Sequence, residues 1–155
     1  MLRGETEEVQ RRLKLAMIQK YGEGEIEKHF RFFDTICGAT QERQDALQKL
    51  LQEPMNLLLV IGGYNSSNTS HLAEMGEAKL PTYFIKNAKM LSENAIQHYD
   101  QHKGAEVETR DWLPAGKITV GITAGASCPN NLIEDTIRRL FELRGVSVKE
   151  LLGAN

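Results

Sequence analysis

Two cysteines, Cys37 and Cys128, are all that the 155 residues hold, and no Cys-x-x-Cys occurs. So few thiols exclude a disulfide framework and suit a reducing compartment, where cysteine serves packing or chemistry. Long apolar runs are missing as well: the longest, Leu57 to Ile61, falls far short of a membrane span. The formal net charge is -2 and no block of like charge stands out, so a general nucleic-acid or membrane-surface role lacks its electrostatic basis. There is no Walker loop and no Gly-x-Gly-x-x-Gly, which argues against a nucleotide triphosphatase or a Rossmann dehydrogenase. His29, His71, His98 and His102 show no zinc spacing and read as surface or capping residues. Met1 to Glu8 has neither the apolar core of a signal peptide nor the acid-poor character of a transit peptide, so a cytoplasmic location is expected.

What is present is ordinary globular composition. With 41% hydrophobic and 26% charged residues, the chain suffices for one domain, or one domain and a piece of another. Val9, Leu13, Ala16 and Met17 predict an amphipathic helix over 5–20, broken by Gly22-Glu23-Gly24. Phe30 to Ile36 reads as a short aromatic strand or link. A helix then follows to about Glu53, with Thr40 as its N-cap and Ala46, Leu47, Leu50 and Leu51 on one face. Leu57 to Ile61 is apolar on both alternating faces, the mark of a buried parallel strand. A helix carrying Leu72 and Met75 comes next, then a strand at Thr82–Ile85. The polar stretch with Val107 and Trp112 reads as a hairpin insertion anchored by the tryptophan. Ile118 to Ile122 is a strand, Thr123 to Cys128 a small-residue loop. The last helix has Pro129 in its first position and Gly145 at its close. Strand–loop–helix units in this order predict an α/β fold with a mainly parallel sheet.

In such a sheet the loops that follow the strands share the C-terminal edge, where ligands bind. That rule sets three loops on one rim: one with Cys37 and Thr40, one with Ser66, Ser67 and Asn68, one with Ser127. The last two are small, rich in hydroxyls and run directly into helices, whose free N–H groups favour anions. Neither contains Lys or Arg, so a phosphate is expected to be held by neutral donors, which are strongest in a dry pocket. Two plainer readings stand beside this one. Asn-Ser-Ser-Asn before a helix also serves as a capped loop, and Ala-Gly-Ala-Ser as tight strand–helix packing. Cys37 is either a small buried hydrophobe or, at a helix N-terminus, a thiolate suited to a nucleophile or a metal ligand.

Three runs carry a resemblance. They are Thr35-Ile36-Cys37-Gly38-Ala39-Thr40-Gln41-Glu42-Arg43-Gln44-Asp45-Ala46, Val60-Ile61-Gly62-Gly63-Tyr64-Asn65-Ser66-Ser67-Asn68-Thr69 and Gly121-Ile122-Thr123-Ala124-Gly125-Ala126-Ser127. In order and spacing they resemble the hydroxymethylbutenyl diphosphate reductases, the LytB/IspH family. Met1 to Glu7 and Trp112-Leu113-Pro114 resemble its plant and cyanobacterial branch.

The resemblance implies a three-lobed α/β enzyme that binds a 4Fe-4S cluster through one cysteine of each lobe. Such an enzyme reduces an allylic alcohol diphosphate to isopentenyl and dimethylallyl diphosphates, with electrons from a low-potential donor such as ferredoxin or flavodoxin. By that likeness Cys37 matches the last cluster cysteine, and Thr40 supports its motif. Ser66, Ser67, Asn68 and Ser127 match substrate contacts. Cys128 stands where the family has a small residue or threonine and is not counted as a ligand. The family's other two cysteines, its pocket histidines and its proton-donating glutamate match nothing here, so no catalytic residue is assigned. The likeness therefore implies the C-terminal part of such an enzyme. Residues 1–34 would be the tail of the preceding lobe, 35–145 the C-terminal lobe and 146–155 a tail, and the missing N-terminal lobes would be its partners. Inactivity alone is expected, and the plastid stroma is the location if the source is a photosynthetic eukaryote. The alternative is a non-catalytic phosphate-binding or interaction module that kept the fold and lost the redox half.

Overall fold

The structure, a computed structural model, describes residues 3–29 and 38–146. The strand or link expected at 30–36, Cys37 and the tail from 147 onward lie outside the described residues. The chain divides into two compact units, residues 1–42 and 43–155.

In the first unit α1 spans Arg3–Tyr21. Glu8 accepts hydrogen bonds from Arg11 at 2.9 Å and Arg12 at 2.7 Å, one turn further along the helix. These guanidiniums hold its carboxyl down at about 2. Gly22, at φ 84°, ends the helix in a conformation that costs glycine nothing. A 3₁₀ turn at Glu23–Glu25 and the short α2, Ile26–His29, follow. Two residues of the expected apolar stripe are exposed among the described residues, Val9 at 49% and Leu13 at 53%.

Helix α3, Gly38–Leu50, straddles the boundary between the units. Thr40 is its third residue, so the expectation that Thr40 caps it does not hold. It also ends sooner than expected, because Gln52 and Glu53 bond back only three residues, to Lys49 and Leu50.

The second unit is built on a five-stranded sheet in the order β4-β3-β2-β1-β5. Its strands are β1 (Leu57–Ile61), β2 (Thr82–Ile85), β3 (Ala95–Asp100), β4 (Ala105–Arg110) and β5 (Val120–Ala124). Central β1 runs parallel to β2 and to β5, with Leu58 opposite Thr82 and Leu57 opposite Val120. β3 and β4 form the expected hairpin, antiparallel to each other and to β2. Thus the parallel part is three strands wide. The last strand starts two residues later than its apolar alternation suggests, since β1 begins at Leu57 and pairs from Val120 onward. Thr119 instead meets Asn56, accepting from its backbone N–H at 2.9 Å and donating its own to Oδ1 at 2.8 Å.

All five residues of β1 are buried, as the unbroken apolar run requires. Leu57, Leu59 and Ile61 face a cluster with Ile85, Ile96 and Trp112, against which Leu132, Ile133 and Leu140 of α5 (Asn130–Leu143) pack. Leu58 and Val60 face the other way, onto Leu47 of α3 and Leu72 and Ala73 of α4 (Ser67–Glu77). Pro129 stands just before α5 as its N-cap rather than in its first position. Trp112 anchors the insertion as expected, 3% exposed, its indole N–H donating to the Ser92 carbonyl at 2.9 Å.

Leu58 fills space that two glycines leave open. A Cβ on Gly76 would stand 2.5 Å from Leu58 Cδ2, and one on Gly121 3.0 Å from Cδ1. Fully buried and so closely surrounded, Leu58 leaves a cavity that cannot collapse when it is truncated. Leu58→Ala should therefore lower unfolding stability by ~2–5 kcal/mol, read as a fall in the urea midpoint at unchanged slope.

Candidate functional site

The parallel arrangement brings the loops after β1 and β5 out side by side, because the two strands are direct neighbours in the same direction. Gly125 closes the join at the base, its N–H donating to the Ile61 carbonyl at 3.0 Å.

Thr69 binds the two loops together. It is 1% exposed, in the first turn of α4, and wedged between glycines from both loops. A Cβ on Gly62 would come within 2.8 Å of its side chain, and one on Gly125 would collide with its Oγ1. Its hydroxyl donates to Ser66 Oγ at 3.0 Å, and its N–H reaches the same oxygen at 3.4 Å. Ser66 is thus the N-cap of α4, so the capped-loop reading of Asn-Ser-Ser-Asn describes it correctly. A serine hydroxyl has two acceptor positions and one proton to give. With both acceptor positions turned to Thr69, the proton of Ser66 is left to donate.

Asn68 is the unusual member of the loop. Both polar atoms of its side-chain amide are buried, and neither has a hydrogen-bond partner among the described residues. Leaving such a group unpaired costs roughly 1–3 kcal/mol. Ser67 is exposed in the first position of α4, and Ser127 is exposed just before α5.

A cavity of about 240 Å³ opens between the two loops, lined by Gly62, Gly63, Thr69, Lys86, Ser127 and Cys128 among others. Ser127 faces it, whereas Ser66, Ser67 and Asn68 stand on the same rim without lining it. Thr40 belongs to the first unit, and Cys37 lies outside the described residues.

The lining is not neutral as expected. Lys86, the residue at which β2 leaves the sheet, contributes a cation to it. Its ammonium lies 2.7 Å from Glu106 Oε1 and 4.4 Å from the centre of the Tyr64 ring. The lysine holds the Glu106 carboxyl below the usual range. Tyr64 stacks on Tyr99 with ring centres 4.5 Å apart. Its hydroxyl is buried near Glu106 without meeting hydrogen-bond geometry. Burial, then the Glu106 carboxylate, push its phenol above the usual range. Lys86 and Thr69 were missed in the sequence, yet the signals existed. β2 is parallel to β1, so its exit residue belongs to the same rim. Gly62 and Gly125 bracket whatever stands between them.

Cys128 is half-buried, and its thiol sits 3.7 Å from the Pro129 carbonyl. Burial pushes it up from the usual thiol range, with Arg43 pulling weakly the other way. A protonated thiol is a poor metal ligand. Among the described residues no three of His, Cys, Asp and Glu come together to hold a metal ion, and no helix is long and apolar enough to cross a membrane.

A family model described as LytB protein matches residues 1–141. The 4-hydroxy-3-methylbut-2-enyl diphosphate reductase of Gloeobacter violaceus is 49% identical over 156 residues, covering 99% of this chain and 37% of that protein. The reductase of the same name from Trichormus variabilis is 48% identical, covering 95% of this chain and 37% of that protein. A solved structure of (E)-4-hydroxy-3-methyl-but-2-enyl diphosphate reductase, described as the terminal enzyme of the non-mevalonate pathway, is also similar. It matches with TM-score 0.55 and 32% identity over 81% of this chain and 40% of that one. The E-1-hydroxy-2-methyl-but-2-enyl-4-diphosphate reductase of Plasmodium falciparum, at 21% identity and TM-score 0.50 over 82% of this chain and 35% of that one, shares the fold. The chain spans about 37% of the length of these curated relatives.

Proposed function

The chain belongs to the LytB family, and from that membership we propose that it forms the C-terminal part of a 4-hydroxy-3-methylbut-2-enyl diphosphate reductase. In this reading residues 35–145 are the last lobe, 1–34 the tail of the preceding one and 146–155 a tail. The remaining lobes supply what this part lacks. The enzyme works in the cytoplasm, or in the plastid stroma of a photosynthetic eukaryote, and takes electrons from a low-potential donor such as ferredoxin or flavodoxin.

The observation that carries the proposal is the Asn68 amide, buried on both polar atoms without a partner among the described residues. A buried group of that kind calls for a partner, and in this reading the diphosphate supplies it. Asn68 shares a rim with the donor proton of Ser66 and the hydroxyl of Ser127, on loops that open onto helix N-termini. In this reading Ser66, Ser67, Asn68 and Ser127 hold the diphosphate and orient the allylic hydroxyl beside it. Hydrogen-bond donors fixed in advance lose no energy to reorganisation when the substrate arrives.

The described residues do not by themselves fit a 4Fe-4S cluster, since no three candidate ligands converge and burial pushes the Cys128 thiol up, away from the thiolate a cluster needs. Such a cluster needs three or four ligands. The chain's part would be one thiolate, Cys37, with Thr40 supporting its motif. A cluster completed by the other lobes would supply the electrons for the reduction.

The test is a chimera in which this chain replaces the matching part of the Gloeobacter violaceus reductase. It should bind iron and turn over the diphosphate. Asn68→Ala or Ser127→Ala in the chimera should each lower kcat/KM roughly 10- to 150-fold, the equivalent of one hydrogen bond to a charged group. A folded chimera that takes up no iron and shows no turnover would instead favour the non-catalytic phosphate-binding module.

A further inference from the structure

We infer that Lys86 provides the positive charge of this anion site, paired with Glu106 while the site is empty and turned to the phosphate when it fills. The inference rests on the diphosphate reading above and adds a charged residue to a set of neutral donors.

The geometry is specific. Lys86 leaves the sheet on the same rim as the two hydroxyl-bearing loops, and it lines the cavity that Ser127 faces. At about 240 Å³ that cavity lies below the range for drug-sized ligands and suits a small anion. The face of Tyr64 lies 4.4 Å from the ammonium, and Tyr64 is itself held by stacking on Tyr99 and by edge contact with Phe84. The aromatic wall restrains the lysine beside the cavity.

Glu106, on β4 in the hairpin, is the counter-charge. The two side chains are 50% and 44% exposed, and pairs in that setting are weakly held against solvent and salt. A phosphate carrying more negative charge than one carboxylate competes well for the ammonium, and lysine acts as a movable point charge in such sites. Glu106 then sets the affinity, since its carboxylate opposes the incoming anion as well as occupying the lysine.

This gives opposite signs for two substitutions, which a purely structural ion pair does not. The full chain is titrated with inorganic pyrophosphate by calorimetry at low and high salt. Lys86→Met should weaken binding at least about tenfold and flatten the salt dependence. Glu106→Gln should tighten binding. Far-UV dichroism reports folding, and if Lys86→Met fails to fold, the Glu106→Gln result decides alone. Weakening by Glu106→Gln would overturn the inference. So would wild-type affinity in a folded Lys86→Met variant whose Ser127→Ala counterpart binds poorly, and that outcome would leave the diphosphate site standing. No pyrophosphate binding by the unsubstituted chain would overturn the diphosphate reading and this inference together.

Discussion

Replacing Gly125 with alanine should cost ~1–3 kcal/mol of stability, the usual range for overpacking a tight interior, and should disable the rim in the same step. The added methyl collides with Thr69 Oγ1. Thr69 has nowhere to go, because Gly62 stands against it on the other side and it is 1% exposed. Either β5 shifts away from β1, loosening the bond from Gly125 N–H to the Ile61 carbonyl, or Thr69 swings out and gives up its bonds to Ser66. Both routes separate the loops that carry Ser66 and Ser127. The companion experiment is the double substitution Gly125→Ala with Thr69→Ala. The shortened side chain makes room for the new methyl, so the pair should be more stable than the sum of the single effects by ~0.5–3 kcal/mol, the range for residues in contact. Urea unfolding of the four proteins reads both numbers. A Gly125→Ala protein within ~0.5 kcal/mol of the original, the scatter of inconsequential substitutions, would show that Thr69 is not wedged.

Cys37→Ala in the chimeric reductase should abolish turnover and remove most bound iron, whereas Cys128→Ala should leave both unchanged. The difference lies in the match of Cys37 to the family's cluster cysteine, to which the burial of Cys128 adds. A cluster ligand must be a thiolate, and metal affinity follows from how easily the thiol gives up its proton. Burial pushes the Cys128 thiol up from its ordinary range, and among the described residues it belongs to no group of three candidate ligands. Iron analysis and visible absorption after anaerobic reconstitution separate the two variants. Equal iron loss in both would mean that Cys128 shares the cluster, and full iron in Cys37→Ala would remove that cysteine from the ligand set.

The parts of the fold that follow from local chemistry were readable in the sequence. Leu57 to Ile61 could only be a strand buried on both faces, and its neighbours β2 and β5 follow from the strand–loop–helix order. The hairpin and its tryptophan anchor were legible because Trp112 has few other ways to satisfy both its ring and its N–H. What escaped was set by partners distant in sequence. The alternation Ile118, Val120, Ile122 carries no mark of where pairing begins, because Leu57 of the neighbouring strand decides it. Thr40 reads as a cap on residue type alone, yet the helix had already begun at Gly38. At the site, the loops after β1 and β5 announced themselves through their hydroxyls and glycines. Lys86 did not, since one lysine at the end of a strand looks like solubility until the hairpin supplies Glu106 some twenty residues later.

The two borders of the sheet are unlike, and that bears on how these molecules meet at high concentration. β4 carries Glu106, Glu108 and Arg110, charges of the kind that deter another strand from adding on. β5 is hydrogen-bonded on one side only among the described residues, and beside it runs an apolar trough lined by Ile118, Ile137, Phe141 and Val146. A charged edge opposes the addition of another strand, whereas an edge flanked by apolar side chains does not, so the two ends of the sheet differ in what they admit as a neighbour.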